Sequence, residues 1–452
     1  MAKEKKVYRC LKCQAEFSRW HGQCPDCGEW NTLEEGEPSR TASPSRSLGF
    51  AGARSEVLTM AQVKTVSSPR FSSTLGEFDR VLGGGVVPGS VVLVGGDPGV
   101  GKSTILLQIG CQLAASMKVL YVTGEESPQQ IVMRATRLNL PEQQLLLLAE
   151  TRVEEILAAA EREKPAVLII DSIQTMQTAE ANSAPGSVTQ VRESAALLTT
   201  FAKYSGTAVF LVGHVTKSGE LAGPRVLEHI IDVVCYIEGG TDSRYRIIRA
   251  VKNRFGAVNE LGVFGMTDRG LKEVKNPSAI FLSRQDEEMP GSAVTVLWEG
   301  SRPLLVEIQA LADTSYSENP RRVTLGLDGN RLAMLLAVLH RHGRITTYDK
   351  DVFVNVVGGI KVMETSADLA LIMAVVSSLQ GRPLPRDLAV FGEIGLAGEI
   401  RPVPGGQERL REAAKHGFTQ AIIPQANTPK IPIKGLVINS VSRLSQALDV
   451  LS

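Results

Sequence analysis

Residues 90–115, SVVLVGGDPGVGKSTILLQIGCQLAA, decide the fold. The opening SVVLVGGD is an apolar strand pattern, and ILLQIGCQLAA reads as a helix. Between them Gly96, Gly101, Lys102 and Ser103 satisfy G-x-x-x-x-G-K-[ST] in the strand–loop–helix setting the motif requires. The glycines let backbone amides converge on phosphate oxygens, and the helix N-terminus adds its dipole. Gly96, Asp97, Pro98, Gly99, Val100, Gly101, Lys102, Ser103 and Thr104 are therefore the expected cradle for a nucleoside triphosphate. Lys102 would reach the β/γ-phosphates and Ser103 would ligate Mg²⁺.

Further strands carry the groups such a cradle needs. KPAVLIIDSI (164–173) is an apolar strand ending in Asp171, placed to hold the magnesium. KVLYVTGEES (118–127) ends in two glutamates, one of which should deprotonate the attacking water. Successive strand residues face opposite sides, so only one can do so; Glu126 is favoured and Glu125 is second. TAVFLVGHV (207–215) ends with His214, a sensor candidate for the γ-phosphate. After the strand YRIIRAVK come Lys252, Asn253, Arg254, Phe255 and Gly256. The two cations are either surface charge or fingers reaching a neighbour's γ-phosphate.

The chain has 452 residues, and about 150 per domain gives roughly three units. Lys+Arg 49 against Asp+Glu 48 leaves a net charge of +1, which excludes coating of nucleic acid by bulk positive charge but not a local basic channel. No run of about 18 apolar residues occurs, so no membrane span is expected. The start, MAKEKKVYRC, lacks the apolar run of a secretory signal. A cytoplasmic protein is expected.

Four of the six cysteines fall in two CxxC pairs within RCLKCQAEFSRWHGQCPDCGEW (9–30). Cys10, Cys13, Cys24 and Cys27 are the expected ligands of a closed tetrahedral zinc site, with His21 a bystander. Metal binding would supply the folding energy of so small a segment. Residues 33–57 are rich in Ser, Pro, Gly and Arg and read as linker. Cys111 and Cys235 sit in apolar surroundings as core residues. The polar stretches 174–193 and 216–225 follow the strands that end near Asp171 and His214. Lys217 and Arg225, both in the second stretch, are candidate phosphate contacts.

From about residue 290 the pattern changes. TVLWEGSRPLLVEIQALA reads as strands, LAMLLAVLHRH and SADLALIMAVVSSL as apolar helices. This region resembles the proteolytic domain of the Lon family. By that resemblance Ser366 falls at the nucleophile's position, but the dyad lysine is missing: Glu408 stands there and Arg409 follows. Lys361 is near Ser366 in sequence but not at the matching position. A serine without an activating base is a poor nucleophile, so a non-proteolytic scaffold is expected.

The whole order of modules, from the four-cysteine ribbon through GDPGVGKST, TGEES and KNRFG to the Lon-like end, resembles the bacterial RadA (Sms) family of RecA-like ATPases. The expected fold is thus α/β: a RecA-like P-loop core (61–275) preceded by a zinc ribbon (1–32) and a flexible linker (33–60). A C-terminal α+β Lon-protease-like domain (276–452) completes it. The resemblance implies an ATP-, Mg²⁺- and Zn²⁺-using homo-hexamer that moves on single-stranded and branched DNA and promotes branch migration beside the RecA recombinase. It also makes Lys252 and Arg254 cations inserted into the adjacent subunit's ATP site. An ATP-dependent peptidase, or a nucleotide-switched scaffold without DNA, are the competing readings.

Overall fold

The computed structural model describes residues 70–141, 144–214, 227–239, 244–282 and 289–450, with 7–10, 16–17, 20, 22–23, 25, 27–30 and 32–36 near the N-terminus. The chain divides into two compact units, Met1–Lys64 and Thr65–Ser452.

The first unit holds three short antiparallel strands, β1 (Val7–Cys10), β2 (Glu16–Phe17) and β3 (Leu33–Gly36), in the order β2-β1-β3. Strand β3 pairs with β1 over its full length, so the ribbon runs past residue 32 into what reads locally as linker. The pairing, between partners 23 to 29 positions apart, leaves no periodic signal in LEEG itself.

The second unit opens with α1 (Gly76–Val81) and a nine-stranded sheet. Its parallel strands are β4 (Val91–Gly96), β5 (Val119–Thr123), β6 (Leu146–Ala149), β7 (Val167–Asp171), β8 (Ala208–His214) and β9 (Val233–Glu238). The antiparallel strands β10 (Tyr245–Asn253), β11 (Leu261–Thr267) and β12 (Gly270–Glu273) extend it, in the order β12-β11-β10-β9-β4-β8-β7-β5-β6. Val91–Gly96, Val119–Thr123 and Val167–Asp171 are buried at every position. That is the signature of parallel strands covered on both faces. Alternate residues feed two layers. Val92, Val94, Tyr121 and Ile169 pack with α1, α2 (Lys102–Leu113) and α3 (Pro128–Arg137). Val91, Leu93, Val122 and Ile170 pack with α4 (Val153–Glu163) and α5 (Val188–Ser205). The carboxyl ends of β4, β5, β7 and β8 converge on one edge, where α/β sheets bind ligands.

A seven-stranded sheet follows: β13 (Ser292–Glu299), β14 (Arg302–Thr314), β15 (Arg322–Leu325), β16 (Lys350–Val356), β17 (Leu388–Val390), β20 (Gln420–Pro424) and β21 (Val437–Val441), in the order β15-β16-β14-β13-β17-β20-β21. The small hairpin β18 (Glu393–Ile394) and β19 (Ile400–Arg401) stands apart from it. Helices α6 (Gly329–Gly343), α7 (Asp368–Gln380) and α9 (Leu444–Asp449) pack into one core of this sheet. Helix α8 (Gly406–Lys415) packs into a second, with Val296 and Leu305.

The two sheets share packing. Ile247, Leu261 and Val263 of the nine-stranded sheet join the same buried cluster as Leu297, Leu304 and Val306. The β13–β14 hairpin tip is clamped from both sides: Arg249 donates to Glu299 at 2.6 Å, and Arg302 reaches both Glu77 oxygens at 3.0 Å. Among the described residues no helix is long and apolar enough to cross a membrane.

Candidate active site

The loop after β4 turns on glycines with positive φ, 150° at Gly96 and 113° at Gly101. A Cβ at Gly96 would meet the Ile237 carbonyl at 2.7 Å, so only glycine lets β4 close on β9 there. Helix α2 begins at Lys102 and turns its unbonded first-turn N–H groups toward the loop. Lys102 is buried, and its Nζ donates to the Gly96 and Asp97 carbonyls, each at 2.9 Å. Burial draws its pKa below the ordinary lysine value, while Asp171, Asp97 and Glu125 pull the other way.

Asp171 closes β7 and is held at both oxygens. Ser103 Oγ donates to Oδ1 at 3.1 Å and the Tyr121 hydroxyl donates to Oδ2 at 2.5 Å. Burial, then the Asp171 charge, keeps the Tyr121 phenol well above its usual pKa, so it remains a donor. Tyr121 sits mid-strand in KVLYVT, where it reads only as core. Its function shows once β5 and β7 pair. The Ser103 hydroxyl and Asp171 carboxylate are hard oxygen donors that suit Mg²⁺.

The two glutamates after β5 diverge. Glu126 forms an ion pair with Arg134 of α3, and its backbone N–H and carbonyl both engage Thr123 Oγ1 at 3.0 and 2.9 Å. A capping box between Ser127 and Gln130 then starts α3 immediately. Glu125 instead accepts from Ser172 Oγ at 2.5 Å and lies 3.5 Å from His214 Nε2. The strand rule favours Glu126, but β5 ends at Thr123. Both glutamates therefore lie in the turn beyond it, where alternation no longer decides. The structure places Glu125 beside Ser172 and His214, and Glu126 on Arg134.

His214 closes β8 opposite Gly96. Its carbonyl accepts from Gln174 Nε2 at 3.3 Å, and its Nδ1 is buried with no partner among the described residues. Gln174 opens the stretch 174–193, which is more ordered than an open loop. The Gln190 amide donates to the Thr178, Ala181 and Ser183 carbonyls at 3.3, 2.9 and 3.0 Å, and residues from Val188 on already belong to α5. Lys217 and Arg225 lie outside the described residues.

The KNRFG stretch leaves β10 on the far side of β9. Lys252 donates to the Glu228 carbonyl, and burial, then Arg254, lowers its pKa. Arg254 pairs with the buried Asp232 at 3.2 Å; Asp232 also holds Lys203 at 2.5 Å and the Val91 N–H at 3.0 Å. Asn253 donates to the Val81 carbonyl at 3.3 Å and accepts from the Phe255 N–H at 2.8 Å. A Cβ on Gly256 would meet Gly83 Cα at 2.8 Å. Within one chain these cations are thus braced against their own sheet, away from Lys102.

In the ribbon, Cys10 Sγ and Cys27 Sγ are 3.6 Å apart. Two thiolates each about 2.3 Å from a tetrahedral zinc stand roughly 3.8 Å from one another, so the pair fits the metal. Cys13, Cys24 and His21 lie outside the described residues. Cys235 is fully buried, which pushes its thiol up to about 12 and leaves it inert.

In the C-terminal sheet the residue beside Ser366 is Arg409, not Glu408. Arg409 is fully buried, with Nη1 3.2 Å from Ser366 Oγ and both Nη atoms on Glu364, at 2.9 and 2.8 Å. Trp298 and Phe391 flank the guanidinium. An arginine cannot deprotonate to serve as base, and Ser366 is itself buried. Arg409→Met would leave Glu364, only a quarter exposed, without its cation and with the Trp298 N–H as its remaining donor. It should cost about 3 kcal/mol of stability in a denaturant melt, with no hydrolytic activity gained.

Nine strands, the phosphate loop and the Ser103–Asp171 pair define a RecA-like P-loop ATPase. Residues 60–220 match a family model described as AAA domain, residues 340–450 one described as Lon protease (S16) C-terminal proteolytic domain, and residues 8–35 one described as Rubredoxin metal binding domain. Curated relatives called DNA repair protein RadA align along the full chain. That of Pseudomonas aeruginosa is 64% identical over 100% of both chains. That of Escherichia coli is 60% identical, covering 99% of this chain and 98% of its own; that of Bacillus subtilis is 45% identical over 99% of each. A solved structure described as the RadB recombinase covers 45% of this chain and 99% of its own at 23% identity and a TM-score of 0.37. The chain belongs to the RadA family of DNA repair proteins.

Proposed function

We propose that the protein is a DNA-stimulated ATPase of recombinational repair. It assembles as a homo-hexameric ring, translocates on single strands and promotes branch migration beside the RecA recombinase. One observation carries the reading: Lys102, Ser103–Asp171 and Glu125–His214 meet at one sheet edge. End-to-end relatives called DNA repair protein RadA support the biological setting.

In this reading Lys102 exchanges its carbonyl partners for the β/γ-phosphates, and Ser103 and Asp171 hold Mg²⁺. The bound ion would neutralise charge gathering on the phosphates. Glu125 accepts the proton of the attacking water, with Ser172 orienting its carboxylate. His214 senses the γ-phosphate and passes its loss through Gln174 into the segment that follows. Lys252 and Arg254 act in trans on a neighbour's site. Cys10, Cys13, Cys24 and Cys27 hold zinc in the ribbon. With a net charge of +1, DNA contacts are confined to local loops facing the ring's centre, where Lys217 and Arg225 take phosphates.

The test is ATP hydrolysis with and without single-stranded DNA at low salt. Absence of both stimulation and binding would sink the motor reading. For the trans arrangement, Lys252→Ala mixed with unaltered chain should depress the rate below the weighted average of the two. A strictly proportional fall would rule it out.

A further inference from the structure

Strand β10 carries a buried cation that the ATP chemistry above does not use. Arg246 is 5% exposed. Its Nε donates to the Val100 carbonyl, in the middle of the phosphate loop, at 3.0 Å, and its Nη1 donates to the Tyr245 carbonyl at 2.9 Å. The side chain reaches the loop by passing Gly239 at the end of β9. A Cβ there would meet Arg246 Cδ at 2.8 Å, at a backbone φ of 154°. The passage therefore depends on glycine at 239.

A trans peptide is planar, with its carbonyl and its N–H pointing in opposite directions. Fixing the Val100 carbonyl on Arg246 turns the Gly101 N–H away from β10. A guanidinium is always charged and makes stronger hydrogen bonds than a neutral donor, so it suits this anchoring task inside the core. Its charge also lies beneath a loop that must attract polyanions.

We propose that Arg246 is a positioning residue for nucleotide binding, presetting the Val100–Gly101 peptide so that the Gly101 N–H meets a phosphate oxygen. The proposal rests on the reading of residues 96–104 as the nucleotide cradle.

The experiment uses the full chain with Arg246→Met, measuring ADP affinity by calorimetry and ATP turnover by steady-state kinetics. Losing one well-aimed donor to a charged oxygen should weaken ADP by about 10- to 100-fold. The KM for ATP should rise by a similar factor while kcat stays within about twofold, because that bond is made in ground and transition states alike. Arg246→Lys should recover part of the loss, and Gly239→Ala, which displaces the arginine, should reproduce it. Unchanged ADP affinity in a folded Arg246→Met protein overturns the proposal. So does a fall in kcat at constant KM, the mark of a smaller active fraction. If Arg246→Met does not melt cooperatively, the other two variants decide, and unchanged KM in both overturns it. Lys102→Ala run in parallel separates the failures: if that change also leaves ADP binding intact, the cradle itself has been misread.

Discussion

Glu125→Gln should slow maximal ATP hydrolysis by about 10²- to 10⁴-fold with ADP affinity retained, while Glu126→Gln should stay within about threefold of the unaltered rate. The asymmetry comes from what each carboxylate touches. Glu125 is bound to Ser172 and His214 at the ends of β7 and β8 and contributes to the field at Lys102. Glu126 is spent on Arg134 in the last turn of α3. Glutamine keeps the shape of the first site but cannot take a proton, so binding survives and turnover does not. In the second site it merely weakens an ion pair. Single-turnover rates with pre-bound ATP distinguish the two, and a slow Glu126→Gln beside a fast Glu125→Gln would reverse the assignment.

Lys102→Ala should lower turnover by at least about 10²- to 10³-fold, the loss found when one preorganised charge-stabilising donor is removed. The effect should reach the fold less than the chemistry. Among the described residues Lys102 bonds only to the Gly96 and Asp97 carbonyls of its own loop, and truncation removes a buried cation that is drawn below its ordinary pKa by burial. The melting temperature without nucleotide should therefore fall little, while the shift produced by saturating ADP should shrink. Turnover near the unaltered rate would remove residues 96–104 from the catalytic centre.

Much of this site is legible locally. GDPGVGKST, the strand end at Asp171 and the strand end at His214 each carry their meaning in a few residues, because loop, strand and helix succeed one another in the chain. What is not legible depends on pairing between distant segments. Tyr121 becomes a partner of Asp171 only through the register of β5 and β7. Arg246 meets Val100 across 146 positions, and Arg409 meets Ser366 across 43. The Lon-like resemblance puts Glu408 at the dyad position, but the turn into α8 rotates its neighbour inward, so a one-residue phase error escapes any motif. The different surroundings of Glu125 and Glu126 are illegible for a similar reason: they depend on the point where β5 stops, not on the pattern that predicts the strand.

The β13–β14 tip has a mechanical implication. Gly300 and Ser301 form a two-residue turn whose flanking residues grip two elements of the ATPase fold, Glu299 on Arg249 of β10 and Arg302 on Glu77 of α1. Arg249 lies on β10, the same strand that ends in Lys252 and Asn253. Held on both flanks, the hairpin ties the C-terminal sheet to β10 only three residues before Lys252. The change of sheet near residue 276 is accordingly a joint in the topology and not a hinge. A chain cut there would lose Ile247, Leu261 and Val263 from a core that both halves build, and the two would melt as one body.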